Sequence, residues 1–159
     1  MRRKFVLGAT LALSVALVGC GSSSGSSGGA KDSGGGVTTG TEAKGTPVLV
    51  EVGDMMGVDG PMTMTATPAS VAAGKVTFTL KNTGTIEHEV VVLKTDTPFD
   101  QLVVTKGKVS EKDSVGEVPE LAAGKTASVT LDLKPGSYAL VCNIKDHYGM
   151  GMRAAFTVT

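Results

Sequence analysis

From residue 47 onward the sequence predicts an all-β fold, an antiparallel sandwich or barrel of seven to eight short strands. Three observations carry this. Apolar residues recur with period two, turn-forming residues punctuate them, and no convincing amphipathic helix stands between. Along the chain, Met62, Met64 and Ala66 alternate with Thr63, Thr65 and Thr67. Val76, Phe78 and Leu80 alternate with Lys75, Thr77, Thr79 and Lys81. Ile86, His88, Val90 and Val92 then share one face of a strand, with Glu87 and Glu89 on the other. Residues 94–120 break the rhythm. Their Asp, Lys and Pro content predicts a surface excursion with a short helix near residues 99–103, and segments of that length are usually functional or carry structure of their own. Alternation resumes with Ala127, Val129, Leu131 and Leu133, returns in Tyr138, Leu140 and Cys142, and ends in a last strand over residues 153–159. Ala73-Gly74, Asn82-Thr83-Gly84, Ala123-Gly124 and Pro135-Gly136 provide the turns.

Two segments of different character precede this domain. Arg2, Arg3 and Lys4, followed by an apolar run of 14 residues over 5–18, have the form of an export signal and are too short to span a bilayer. Leu17-Val18-Gly19-Cys20 closes the run and resembles the bacterial lipobox, which implies removal of residues 1–19 and a lipid on Cys20. Arg2-Arg3-x-Phe5 also has some likeness to a twin-arginine signal, and the export route stays open. Residues 20–46 hold nine Gly and six Ser, too little apolar surface to fold. As a flexible coil such a tether reaches about 26–31 Å. The expected organisation is a signal over 1–19, a lipid-anchored linker over 20–46 and a folded domain over 47–159, on the extracytoplasmic face of a bacterial membrane.

Charge and composition exclude several functions. The 15 basic and 15 acidic residues balance, but three of the basic ones lie in the signal, so the chain from Cys20 carries 12 against 15, or −3. Without a basic run it has no footprint for nucleic acid. Two His exclude any centre needing three imidazoles, and so a multicopper enzyme. With Cys20 lipidated, Cys142 is the one thiol left, which excludes a disulfide within the domain; an oxidising compartment then demands something to occupy that sulfur, such as a metal.

The residues able to do so are grouped. Cys142, His147 and Met152 follow one another with four residues between each pair, on the loop ahead of the last strand, and His88 faces inward from a distant strand. Two imidazoles, a thiolate and a thioether form a soft, asymmetric ligand set that selects copper, because zinc prefers sites without thioether and a four-Cys iron–sulfur cluster is impossible here. Met150 competes with Met152 for the thioether role. A cysteine hydrolase built on Cys142 and His147 lacks an oxyanion-hole motif, so no enzyme is expected.

Thr83-Gly84-Thr85-Ile86-Glu87-His88, then Leu133-Lys134-Pro135-Gly136-Ser137-Tyr138 leading to Val141-Cys142-Asn143, then His147-Tyr148 and Gly151-Met152, resemble the cupredoxins, the blue copper proteins that include plastocyanin, azurin and auracyanin. The resemblance covers nearly all of residues 60–159. It implies an eight-stranded Greek-key sandwich with one type 1 copper ion bound by His88, Cys142, His147 and Met152, and a Tyr138 that ties a strand crossing to the backbone. Where many members have Asn after the first His, Glu89 stands here; its backbone N–H is still expected to reach the sulfur, with Asn143 bracing the loop from the other side. The function implied is single-electron transfer between redox proteins of the same membrane, met transiently by a monomer through a patch around His147 that includes Tyr148 and Met150. The alternative is a copper carrier or storage lipoprotein that delivers the metal to an oxidase.

Overall fold

The computed structural model describes residues 44–55 and 60–159. The expected signal, Cys20 and residues 20–43 of the linker lie outside the described residues. Eleven strands follow in order: β1 (Thr46–Asp54), β2 (Met62–Thr67), β3 (Ser70–Val71), β4 (Gly74–Asn82), β5 (His88–Lys94), β6 (Val104–Thr105), β7 (Lys108–Val109), β8 (Ser114–Leu121), β9 (Thr126–Leu133), β10 (Gly136–Val141) and β11 (Arg153–Val158). Eight of them have six or more residues, in agreement with the seven to eight expected. Among the described residues no helix is long and apolar enough to cross a membrane.

Period-two patterning explains the layering. One sheet has the order β2-β1-β4-β9 and the other β3-β11-β10-β5-β8, while β6 and β7 pair separately. The chain passes between sheets from β4 to β5, returns from β8 to β9 and crosses again to β10, a Greek-key path. Val76, Phe78 and Leu80 from the first sheet meet Val90, Val92, Leu140 and Phe156 from the second in one core. Phe78 and Phe156 join the sheets edge to face, with ring centroids 5.1 Å apart, worth about 0.5–1.5 kcal/mol beyond the area they bury.

Two expectations are corrected over residues 94–120. No helix forms near residues 99–103; a single turn, closed by the Gln101 N–H on the Pro98 carbonyl, is followed by the β6–β7 hairpin. Lys106 and Gly107 both have positive φ, 53° and 83°, as a two-residue type I′ turn requires. The rest of the segment is β8, an edge strand, which is where Pro119 is tolerated because its missing N–H faces no partner strand. The excursion is therefore shorter than expected. It covers the outer face of β5 and β10, where Val91, Leu93, Ala139, Val141, Val109 and Tyr148 form a second apolar cluster with Phe99 and Leu102 against it. β5 is consequently buried on both faces.

Tyr138 behaves as its resemblance implied: the phenol donates to the Lys134 carbonyl at 2.7 Å across the β9–β10 crossing. Tyr138→Phe is expected to cost about 1 kcal/mol by losing this bond, read from denaturant midpoints. Burial raises the phenol pKa. The folded state thus holds the proton more tightly than the unfolded chain. That contribution is complete below the ordinary tyrosine range and disappears as pH rises through the higher folded value. The same alkaline loss should be smaller in Tyr138→Phe.

Candidate metal centre

His88 opens β5, and alternation turns its ring to the main core while Val90 and Val92 continue that face. Cys142 extends the inward face of β10 beyond Tyr138 and Leu140. His147 lies in the loop after it, a chain of turns closed by His147 N–H to Ile144, Met150 N–H to Asp146 and Gly151 N–H to Tyr148 carbonyls. The loop then rejoins itself: the Cys142 N–H donates to the Met152 carbonyl and the Met152 N–H to the His147 carbonyl, each at 3.1 Å. Gly151 makes that closure possible. Its φ is +110°, and a Cβ there would stand 2.8 Å from the Met62 carbonyl oxygen.

The consequence is convergence. One ligand atom each from His88, Cys142 and His147 lies within 4.8 Å of the others, and all three residues are buried. The Nδ1 atoms of His88 and His147 are 3.3 Å apart, and Cys142 Sγ is 3.4 Å from His147 Nδ1. Two metal–ligand bonds of about 2.0 Å meeting at about 110° separate their outer atoms by about 3.3 Å, so this triangle fits a transition-metal ion at its middle. The donor set, two imidazoles and one sulfur, fits copper.

Electrostatics favour the same reading. Burial pushes the Cys142 thiol up to about 11, despite hydrogen bonds from the Glu89 and Ile144 backbones. Alone, the sulfur keeps its proton at neutral pH, and a cation bound there must displace it. His147 titrates below the ordinary imidazole range, because burial and then His88 disfavour its cation while Asp54 and Asp146 oppose them. A neutral ring is the form that offers a lone pair.

The residues expected around the ligands take definite places. The Glu89 N–H points at Cys142 Sγ, 3.5 Å away, and the Glu89 carboxylate accepts the Asn143 N–H at 3.0 Å. Burial raises the Glu89 pKa, the Asn143 bond opposes this, and Glu111, Glu117 and Glu120 add to it. The Asn143 side chain accepts from the Val109 N–H at 2.8 Å and donates to the Val109 carbonyl and to Glu111, which braces the loop onto β7. Met152 is fully buried in the same core as Cys142, whereas Met150 is partly exposed and its carbonyl accepts the Met62 N–H.

Tyr148 requires correction. It was expected in an exposed patch, yet it is 4 % exposed. Its phenol accepts the Leu102 N–H and donates to the Phe99 carbonyl, both at 3.0 Å, and the Arg153 guanidinium lies 5.0 Å above its ring. It faces the second cluster, opposite to His147. The surface beside His147 is instead a shallow hollow lined by Ile86, Glu87, Glu120, Ile144 and His147.

One residue of the centre escaped the sequence reading. Asp54, at the end of β1, accepts the His88 Nε2 proton at 3.1 Å, and neither side chain is exposed. Burial alone would raise its pKa, but donors from Thr85, His88 and Ile86 outweigh that and hold the carboxyl well below the usual range. A signal was there. Val48, Val50 and Val52 point inward along β1, and the same period puts Asp54 on their face.

Comparisons with known proteins agree with this picture. No curated protein matches the chain at a significant level. Among solved structures, auracyanin from Roseiflexus castenholzii is similar at 21 % identity and a TM-score of 0.54, over 73 % of this chain and 98 % of that one. Reduced rusticyanin is similar at 20 % identity and a TM-score of 0.53, over 73 % and 81 % of the two chains. These likenesses are of fold. Residues 52–159, the greater part of the chain, match the family described as copper binding proteins, plastocyanin/azurin family, and the chain belongs to that family.

Proposed function

We propose that this chain is a blue copper electron carrier whose ion would be held by His88, Cys142 and His147, with the Met152 thioether as the fourth ligand. The observation that carries the reading is the buried triangle of Nδ1, Nδ1 and Sγ, two of whose sides measure 3.3 and 3.4 Å. Bound there, copper supplies a one-electron couple.

The protein's part is to keep the ligands still. His88 is fixed by β5 and by Asp54, Cys142 by the end of β10 and by the Glu89 N–H, and His147 by the self-closed loop. A site that is already placed for both oxidation states reorganises little when an electron arrives. The apolar core around Met152 excludes water and tunes the potential.

Electrons would enter or leave by the His147 side, through the hollow in which Ile86 and Ile144 offer apolar contact and Glu87 and Glu120 offer negative charge. This replaces Tyr148 in the docking patch; Met150 keeps enough exposure to belong to it. Such a surface suits a brief encounter with a redox protein. Lipidation at Cys20, with the linker ahead of β1 as tether, would hold the domain at the extracytoplasmic face of a bacterial membrane and raise the local concentration of partners.

The test is reversible colour. The copper(II) form should absorb intensely in the visible, lose the band with ascorbate and regain it with ferricyanide. Met152→Leu should keep copper and the band but raise the potential, since it removes the thioether without touching His88, Cys142 or His147; loss of copper instead would show that Met152 does more than tune. Rapid surrender of the metal to a chelator, without reversible bleaching, would favour copper carriage over electron transfer.

A further inference from the structure

Asp54 belongs to no ligand set, yet its carboxylate is shut off from solvent. An isolated buried carboxylate is costly, so its surroundings must compensate it. Among the described residues they do so with four donors: the Thr85 N–H and the Thr85 hydroxyl at 2.6 Å each, the Ile86 N–H at 3.3 Å and His88 Nε2 at 3.1 Å. Three of these come from the turn between β4 and β5 that delivers His88. The turn is shaped around the acid: a Cβ on Gly84 would collide with Asp54 Oδ2 and stand 2.9 Å from His88 Nε2.

We infer that Asp54 is a positioning residue for the copper centre: its carboxylate retains the proton on His88 Nε2, so that Nδ1 faces the site as a lone pair, and its fixed negative charge favours the more highly charged state of the bound ion. The inference rests on the copper reading above. A carboxylate can only accept from the ring nitrogen it touches, which settles which nitrogen is protonated. Carboxylate partners of ligating imidazoles make them more basic, and their loss typically changes metal affinity 10–100-fold. The oxidation states differ by one charge, so the effect falls unequally on them.

The experiment has two arms. In the metal-free protein, nitrogen-15 NMR should find His88 protonated at Nε2 and bare at Nδ1; the reverse overturns the proposal. In the copper-loaded protein, Asp54→Asn keeps size and an acceptor but removes the charge. It should favour copper(I) over copper(II) by about tenfold, a rise of roughly 59 mV in potential, with the visible band retained. An unchanged potential in a variant that keeps the band overturns the proposal while leaving the copper reading intact. Absence of the band from the unaltered protein overturns the copper reading itself. Glu51→Gln, which removes a half-exposed carboxylate from the same strand, should shift the potential far less, and an equal shift would show that any nearby charge suffices. Thr85→Val removes one donor from Asp54, leaves its charge less neutralised and should move the potential downward; a rise would count against the inference even if Asp54→Asn fails to fold.

Discussion

Cys142→Ser is expected to abolish the visible band and to weaken copper(II) binding by more than the roughly 10–100-fold that loss of an outer hydrogen bond costs. A serine hydroxyl does not ionise under conditions that load copper, and its oxygen is a poor partner for a soft cation. The buried Cys142 thiol also resists ionisation, with a pKa near about 11, but copper bound to sulfur can drive the proton off whereas copper beside an alcohol cannot. The check is absorption during copper titration, with circular dichroism of the metal-free variant to establish that the sandwich is intact. A strong band in folded Cys142→Ser would refute the ligand assignment.

Gly84→Ala is expected to have the next largest effect although Gly84 has no side chain to offer the metal. The new methyl group would overlap Asp54 Oδ2 and crowd both His88 Nε2 at 2.9 Å and the Asp54 N at 3.0 Å. Neither neighbour can yield easily, because Asp54 is held by its donors and His88 is fully buried. The outcome should be a loss of about 1–3 kcal/mol in stability of the metal-free protein, as in other over-packed sites, together with weakening of copper binding by about 10–100-fold. Gly124→Ala provides the contrast. Its φ is +72° and nothing lies within 4 Å of the added Cβ, so it should cost about 1–2 kcal/mol of backbone strain and leave copper affinity unchanged. Chelator competition and denaturant titration of both variants separate the effects. Equal copper affinity in Gly84→Ala and the parent would refute the steric argument.

The contrast between legible and illegible parts has physical causes. Strands such as β4, where Val76, Phe78 and Leu80 alternate with polar residues, announce themselves because one face meets a core and the other water. β8 does not: at the sheet edge with Gly116 and Pro119 in it, Val118 is its one fully buried residue. Helix was expected near Phe99 for want of another way to organise a long polar stretch, and the β6–β7 hairpin is too short to leave a periodic trace. At the centre, residue type and spacing along one loop made Cys142, His147 and Met152 visible together, and strand parity aimed His88 at them. Asp54 was missed because it sits 34 positions from its partner and reads locally as an ordinary strand-end acid. Tyr148 was misplaced because loops have no parity: which way its ring turns depends on Phe99 and Leu102, whose arrival the local sequence does not reveal.

The excursion that shelters Tyr148 has a consequence for the evolution of such molecules. Asn143 is fastened to Val109 and Glu111, the Asp146 N–H to the Gly107 carbonyl at 2.8 Å, and Tyr148 to Phe99 and Leu102. Residues that never touch the ion thus act as the back wall against which the stretch from Cys142 to Met152 is pressed. Transplanting that stretch alone into another sandwich would leave half its supports behind, and inherited changes in length on either side of the wall should occur in tandem.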